Sequence, residues 1–368
     1  MPAISVLIKP ASSACNMNCS YCFYKDVAKN RKNGFEGMLS IENAEKIVKS
    51  AMEFAQGSCS FMFQGGEPTL AGLDFFKEFV NLEKKYAKKG VRVFNALQTN
   101  GYALDEEWAD FFVKNGFLIG LSLDGPATLH DFYRTDNSGE ETFKRVIRTA
   151  EIFKKKGVEF NILSVVTAQG ARSIEKTYNF FKKQGFKWLQ FIPCLEPLGE
   201  SRDKEQQCMS VNAYADYLIR IFDLWFDDLQ KGNYVSIRHI DNWLSVLLTG
   251  RAENCGMSGR CSIQFVVEGD GGVYPCDFYV LDEYRMGTVG EQSFAGFANS
   301  TVARRFVEAS FGVPEECGKC EFYPLCRNGC RRDRETPASK NYYCSAYKEF
   351  FEKRAGRLRQ AAWLVRSM

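Results

Sequence analysis

Residues 4–22 read ISVLIKPASSACNMNCSYC, an apolar run of strand length followed by a loop with cysteines at positions 15, 19 and 22. A strand that opens into a polar loop is the first half of a strand–helix unit, and this unit repeats. Apolar runs recur at 59–64 (CSFMFQ), 91–98 (VRVFNALQ), 117–123 (FLIGLSL), 158–166 (VEFNILSVV) and 188–192 (WLQFI). Between them lie stretches with apolar residues at three- and four-residue spacing, namely 41–56, 73–88, 105–114, 141–156 and 171–184. Alternating units with right-handed crossovers predict a parallel sheet covered by helices. Six units are two short of a closed eightfold barrel, so the expected α/β fold is a partial, TIM-like (β/α)6 barrel. Such a barrel has a wide lateral mouth, suited to a large substrate.

The loops after the strands carry the unusual residues. The three-cysteine loop follows the first strand, and Gln64-Gly65-Gly66-Glu67-Pro68 follows the second. Gln98-Thr99-Asn100-Gly101, Ser122-Leu123-Asp124-Gly125-Pro126, Val166-Thr167 and Pro193-Cys194-Leu195 close the later ones. In parallel α/β folds the carboxyl ends of the strands are where sites are built. From about 211 the pattern changes to long helical stretches (211–231 and 239–249), then a short hairpin over 263–274, and a last helix from 345. The expected division is therefore a barrel over 1–235 and a cysteine-rich domain over 236–368, packed together because no low-complexity linker separates them.

Composition narrows the function. Among 368 residues, 48 Lys+Arg against 45 Asp+Glu leave a net charge of +3, which gives no reason to expect a nucleic-acid partner. No apolar run reaches membrane-spanning length, and no basic head precedes an apolar core at the N-terminus. A cytoplasmic protein with no membrane partner is expected. There are 14 cysteines and only two histidines, His130 and His239. With no export signal, that points to thiolate-held metal rather than disulfides.

The cysteines fall in groups. Cys15, Cys19 and Cys22 are spaced C-x3-C-x2-C; Cys255, Cys261 and Cys276 form a second group; Cys317, Cys320, Cys326 and Cys330, followed by Cys344, form a third. Eleven grouped cysteines cannot all pair as disulfides, leaving Cys59, Cys194 and Cys208 as packing residues. Three thiolates can hold three irons of a 4Fe–4S cube and leave the fourth open, whereas a closed cluster needs four. Zinc sites also use C-x2-C, so spacing alone leaves the metal open.

The triplet, with Tyr21 before its last cysteine and Gly65-Gly66-Glu67-Pro68 after the next strand, resembles the radical S-adenosylmethionine superfamily over residues 4 to about 195. The resemblance implies that Cys15, Cys19 and Cys22 hold a cluster whose open iron chelates the amino and carboxylate groups of S-adenosylmethionine. Electron transfer then yields methionine and a 5′-deoxyadenosyl radical. It also implies cofactor contacts: Tyr21 beside the cluster, Gly66 at the methionine amino group, Ser122 and Arg134 at the ribose and carboxylate, and Leu195 at the adenine. The later cysteines are similar to the SPASM extension, which carries two auxiliary 4Fe–4S clusters. By that resemblance Cys255, Cys261, Cys276 and Cys330 serve one, and Cys317, Cys320, Cys326 and Cys344 the other, a pairing that spacing does not choose.

The run of motifs, from IKPASSACNMNCSYCFY through FQGGEPTLAGL, LQTNG and LSLDGP to QFVVEGDGGVYPCDFYVLD, is similar to the anaerobic sulfatase-maturating enzymes along essentially the whole chain. Those oxidise a cysteine or serine, within a C/S-x-P/A-x-R motif of an unfolded or nascent sulfatase, to Cα-formylglycine. The resemblance implies three 4Fe–4S clusters, S-adenosylmethionine, and a low-potential donor such as flavodoxin or ferredoxin. It makes Asp277 the proton acceptor; Tyr24 and Gln64, which flank the two cofactor motifs, are expected substrate contacts, and a monomer is the default expectation. Two other readings are a SPASM maturase forming thioether crosslinks and a non-catalytic iron–sulfur or zinc protein. The choice between cysteine and serine stays open at this stage.

Overall fold

The computed structural model describes residues 3–199 and 207–366. Six parallel strands, β1 (Ile4–Ile8), β2 (Ser58–Phe63), β3 (Arg92–Thr99), β4 (Phe117–Ser122), β5 (Phe160–Val166) and β6 (Trp188–Pro193), pair each with the next. Helices connect them, among them Ile41–Phe54, Leu73–Lys85, Glu106–Lys114, Phe143–Lys156 and Ile174–Lys183. The expected partial barrel is what forms, and its helices start where the sequence marks them. Ser40 Oγ accepts the Asn43 N–H, and Asp105 Oδ1 accepts the Glu107 and Trp108 N–H groups, so each cap satisfies donors the first turn would leave unpaired.

The strands are two-faced because side chains alternate along them. Val6, Ile8, Phe61, Phe63, Ile119 and Leu121 point outward and are fully buried under the helices. Phe63 meets Phe76 and Phe79 edge-on, and Phe112 meets Phe117 and Phe153, so aromatic packing locks the helical layer to the sheet. The opposite face carries Ser60, Met62, Ala96, Gln98, Gly120 and Ser122 and is only partly covered, which leaves an accessible lumen.

The C-terminal region does more than pack on this barrel; it extends the sheet. β7 (Ser236–Ile237) adds parallel to β6, and β8 (Val266–Val267) adds parallel to the outer edge of β1. The Leu7 and Lys9 N–H groups donate to the Phe265 and Val267 carbonyls at 3.1 and 2.8 Å. β9 (Gly272–Tyr274) and β10 (Gly287–Thr288) follow antiparallel, giving a ten-stranded order β10-β9-β8-β1-β2-β3-β4-β5-β6-β7. The expected hairpin is present but shorter, with its turn at 268–271. The helix Cys344–Arg366 returns across Val211–Gln230 and Arg238–Thr249, stacking Phe350 on Trp243 at 4.8 Å between ring centres. Among the described residues no helix is long and apolar enough to cross a membrane.

Candidate active site

The site grows from the junction of two loops at the carboxyl end of the sheet. The N–H groups of Gly66 and Glu67 donate to the Ser12 and Ala14 carbonyls at 2.9 and 2.7 Å, zipping the glycine-rich loop to the three-cysteine loop. A Cβ on Gly66 would stand 2.0 Å from the Ala14 oxygen. Glycine is thus required by the approach of protein backbone to protein backbone. Glu67, buried, accepts from the Thr69 N–H and Oγ1, Thr99 Oγ1 and the Asn100 N–H, binding this loop to the end of β3. Asn100 Nδ2 then donates to Asn16 Oδ1 at 2.8 Å and reaches Cys15 Sγ at 3.7 Å. Substituting Gly66→Ala should force the loops apart at a strain of about 1–3 kcal/mol and strip iron from the cluster site. Gly356→Ala, whose Cβ would meet nothing within 4 Å, should keep full iron content as the control.

The thiols of Cys15, Cys19 and Cys22 are close enough to act electrostatically on one another. Burial pushes the Cys15 thiol up to about 12 and raises that of Cys19, so metal must displace protons to bind them. The C-terminal cysteines form two neighbourhoods. Cys255, Cys261, Cys276 and Cys330 interact among themselves, while Cys317, Cys320, Cys326 and Cys344 do so separately. The second set lines a cavity of about 430 Å³. Among the described residues, no three Cys, His, Asp or Glu side chains gather as a single ion would require. Of the remaining cysteines, Cys59, Cys194 and Cys208 are all buried.

Of the five residues expected to touch the cofactor besides the cluster, the structure ties Tyr21 and Arg134 together through Asp124. Arg134 Nε and Nη2 donate to Asp124 Oδ2 and Oδ1 at 2.9 and 3.3 Å, and the Tyr21 hydroxyl donates to Oδ2. Arg134 Nη1 stands 3.9 Å from Cys19 Sγ. Ser122, at the end of β4, accepts from Gln98 Nε2 at 2.9 Å. Gly66 lies in the zipped loop, and Leu195 is half-buried just beyond β6.

Asp277 sits beside Tyr24, which comes just after the three-cysteine loop in sequence. It is buried, and accepts a 2.7 Å hydrogen bond from the Tyr24 hydroxyl and a 3.1 Å ion pair from Lys9 Nζ. Lys9 lies 3.6 Å from Glu268 as well, and Glu268 is held at 2.7 Å by Arg31. Burial, reinforced by Asp277, raises the Tyr24 phenol well above its usual range, so it donates rather than ionises. The Asp277 N–H donates to Gln264 Oε1, and Gln264 Nε2 reaches Cys255 Sγ at 3.9 Å, which links the carboxylate to the first C-terminal thiol group. Gln64 donates its N–H to the Ile8 carbonyl at the head of the lumen. Sequence reasoning passed over Lys9, Glu67 and Asp124. Lys9 carried one signal, a charge closing an otherwise apolar strand.

Residues 10–181 match the radical S-adenosylmethionine superfamily, and residues 255–321 match an iron–sulfur cluster-binding domain. The chain is 48% identical over 356 residues, covering 96% of both chains, to a cysteine-type anaerobic sulfatase-maturating enzyme of Clostridium perfringens. It is 30% identical to a serine-type anaerobic sulfatase-maturating enzyme of Bacteroides thetaiotaomicron, over 94% of this chain and 88% of that one. A solved structure described as native anSMEcpe with bound AdoMet and Cp18Cys peptide superimposes with a TM-score of 0.95 at 46% identity, covering 99% of this chain and 100% of the other.

Proposed function

We propose, because this chain belongs to the anaerobic sulfatase-maturating enzymes of the radical S-adenosylmethionine superfamily, that it converts a cysteine of a sulfatase polypeptide to Cα-formylglycine. The enzyme is an oxidoreductase dependent on 4Fe–4S clusters and S-adenosylmethionine. Preference for cysteine over serine is supported by 48% identity to a cysteine-type relative against 30% to a serine-type one. The observation that carries the reading is the hydrogen bond that joins the three-cysteine loop to the Asp277 carboxylate, donated by Tyr24, two residues after Cys22.

We assign Cys15, Cys19 and Cys22 to the cofactor-binding cluster. Cys255, Cys261, Cys276 and Cys330 then take one auxiliary cluster, and Cys317, Cys320, Cys326 and Cys344 the other. When bound, the first cluster and S-adenosylmethionine supply a 5′-deoxyadenosyl radical that takes a hydrogen atom from the substrate Cβ. That carbon must also lose an electron, for which an auxiliary cluster would be the acceptor, and, from the thiol, a proton. Asp277 is the carboxylate positioned to take the proton, with Tyr24 and Lys9 fixing its two oxygens. Water then hydrolyses the thioaldehyde and sulfide leaves. The assignment extends to Tyr21, Gly66, Ser122, Arg134 and Leu195 as cofactor contacts, to a flavodoxin- or ferredoxin-type donor, to a monomer in the cytoplasm, and to a boundary near 235 between barrel and cysteine-rich domain.

The test is anaerobic incubation of reconstituted holoenzyme with S-adenosylmethionine, a reductant, and paired peptides carrying C-x-P-x-R or S-x-P-x-R. The cysteine peptide should lose two hydrogens and exchange sulfur for oxygen, and the serine peptide should react more slowly. An unchanged mass for both, or loss of two hydrogens with sulfur retained in a crosslink, would contradict the proposal.

A further inference from the structure

Asp124 and His130 have no part in the mechanism above, yet both are buried beside Arg134. The Asp124 carboxylate is saturated. Its Oδ2 accepts from Arg134 Nε and the Tyr21 hydroxyl, and its Oδ1 accepts from Arg134 Nη2 and, at 2.9 Å, from the Val165 N–H. Asp124 thereby holds Arg134 along one edge only, while the guanidinium also lies over the Tyr21 ring. A guanidinium carries five N–H donors in a planar fork, so clamping the Nε/Nη2 edge leaves the Nη1/Nη2 fork to face elsewhere. Here Nη1 faces Cys19.

The backbone on both sides of this pair is fixed by the histidine. The Asp124 N–H can only donate, so His130 Nδ1, 3.4 Å away, must accept. The proton therefore sits on Nε2, which meets Thr142 Oγ1 at 3.1 Å, and that hydroxyl donates to the Arg134 carbonyl at 2.7 Å. Burial, aided by Arg134, pushes the imidazole down to about 3, so this arrangement persists through neutral pH. One imidazole thus spans from the backbone of Asp124 to that of Arg134, while Tyr21 ties the same carboxylate to the three-cysteine loop.

We propose that Asp124 is a positioning residue, clamping Arg134 and Tyr21 so that the remaining guanidinium fork stands beside Cys19 as a ready-made receptor for the carboxylate of S-adenosylmethionine. This rests on the assignment of Arg134 and the three-cysteine loop to the cofactor. The carboxylate receptor is preorganised, so binding need not immobilise a long side chain. Removing the clamp leaves the cofactor's carboxylate to do that work.

The experiment measures binding of S-adenosylmethionine and of its decarboxylated analogue to reconstituted holoenzyme by equilibrium dialysis. Asp124→Asn should weaken S-adenosylmethionine binding roughly 10–100-fold, the range of a charge-assisted hydrogen bond, at wild-type iron content. The decarboxylated analogue should bind variant and wild type alike within about twofold. Equal weakening of both ligands, or of neither, would overturn the proposal. Arg134→Ala separates the two levels. If it leaves S-adenosylmethionine affinity unchanged, the cofactor assignment fails; if it removes carboxylate selectivity while Asp124→Asn does not, only the role of Asp124 fails. Should Asp124→Asn yield no folded holoenzyme, Tyr21→Phe decides, since it removes one donor and spares the ion pair. It should show a carboxylate-selective loss of about threefold, and unaltered selectivity would overturn the proposal.

Discussion

Cys22→Ala should take 5′-deoxyadenosine formation to background, a loss of at least ~10³-fold, if the triplet holds the cluster proposed to form the radical. Iron content should fall by about four of about twelve atoms per chain, with the two C-terminal groups still loaded. The separation follows from the geometry. Cys22 belongs to the loop zipped onto Gly66 and Glu67, whereas the C-terminal cysteines occupy two neighbourhoods of their own. Anaerobic iron and sulfide analysis, with chromatography of the cleaved cofactor, checks both halves. Retained deoxyadenosine production would remove the triplet from the chemistry, and loss of all iron would show that the three groups fold as one.

Asp277→Asn should behave in the opposite sense. It should still cleave S-adenosylmethionine, yet formylglycine should fall roughly 10²–10⁴-fold, the usual worth of a positioned proton acceptor. Asparagine keeps the size of the side chain and can still accept from the Tyr24 hydroxyl. It cannot take a proton, and it leaves Lys9, itself buried, with Glu268 as its remaining carboxylate partner. The diagnostic is the ratio of deoxyadenosine to aldehyde, read by chromatography and peptide mass on the same samples. That ratio should rise by the factor by which product falls. An unchanged ratio would mean that the carboxylate acts before hydrogen abstraction or only in folding.

Much of this architecture was readable from periodicity alone. Six apolar runs and the helical stretches between them gave the partial barrel, and the polar motifs sit on its rim as their position after each strand implied. β7 and β8 could not be read in this way, since two residues carry no period to detect. Their pairing with β6 and β1 is a consequence of tertiary packing. The same limit applies to the site. Cysteine spacing identified metal chemistry but not which thiols share a neighbourhood, because Cys330 belongs by sequence to one run and in space to the company of Cys255, Cys261 and Cys276. Lys9 and Asp277 lie far apart in the sequence, and only the fold reveals that they meet. Asp124 stood inside a quoted motif, but its importance lies in four donors drawn from three other segments.

The place of β1 in the sheet has a consequence for how the protein is made. β1 leaves the ribosome long before β8, yet it is flanked by β2 on one side and by β8 on the other, and β8 lies at residues 266–267. Until that stretch emerges, the nascent chain carries the three-cysteine loop on a strand with one open edge, a surface prone to pair with other chains. Lys9, whose N–H bonds to Val267, also waits for its carboxylate partners at 268 and 277. The barrel is therefore sealed from its first strand by its later domain, and a truncated N-terminal half should be an aggregating fragment rather than a small enzyme.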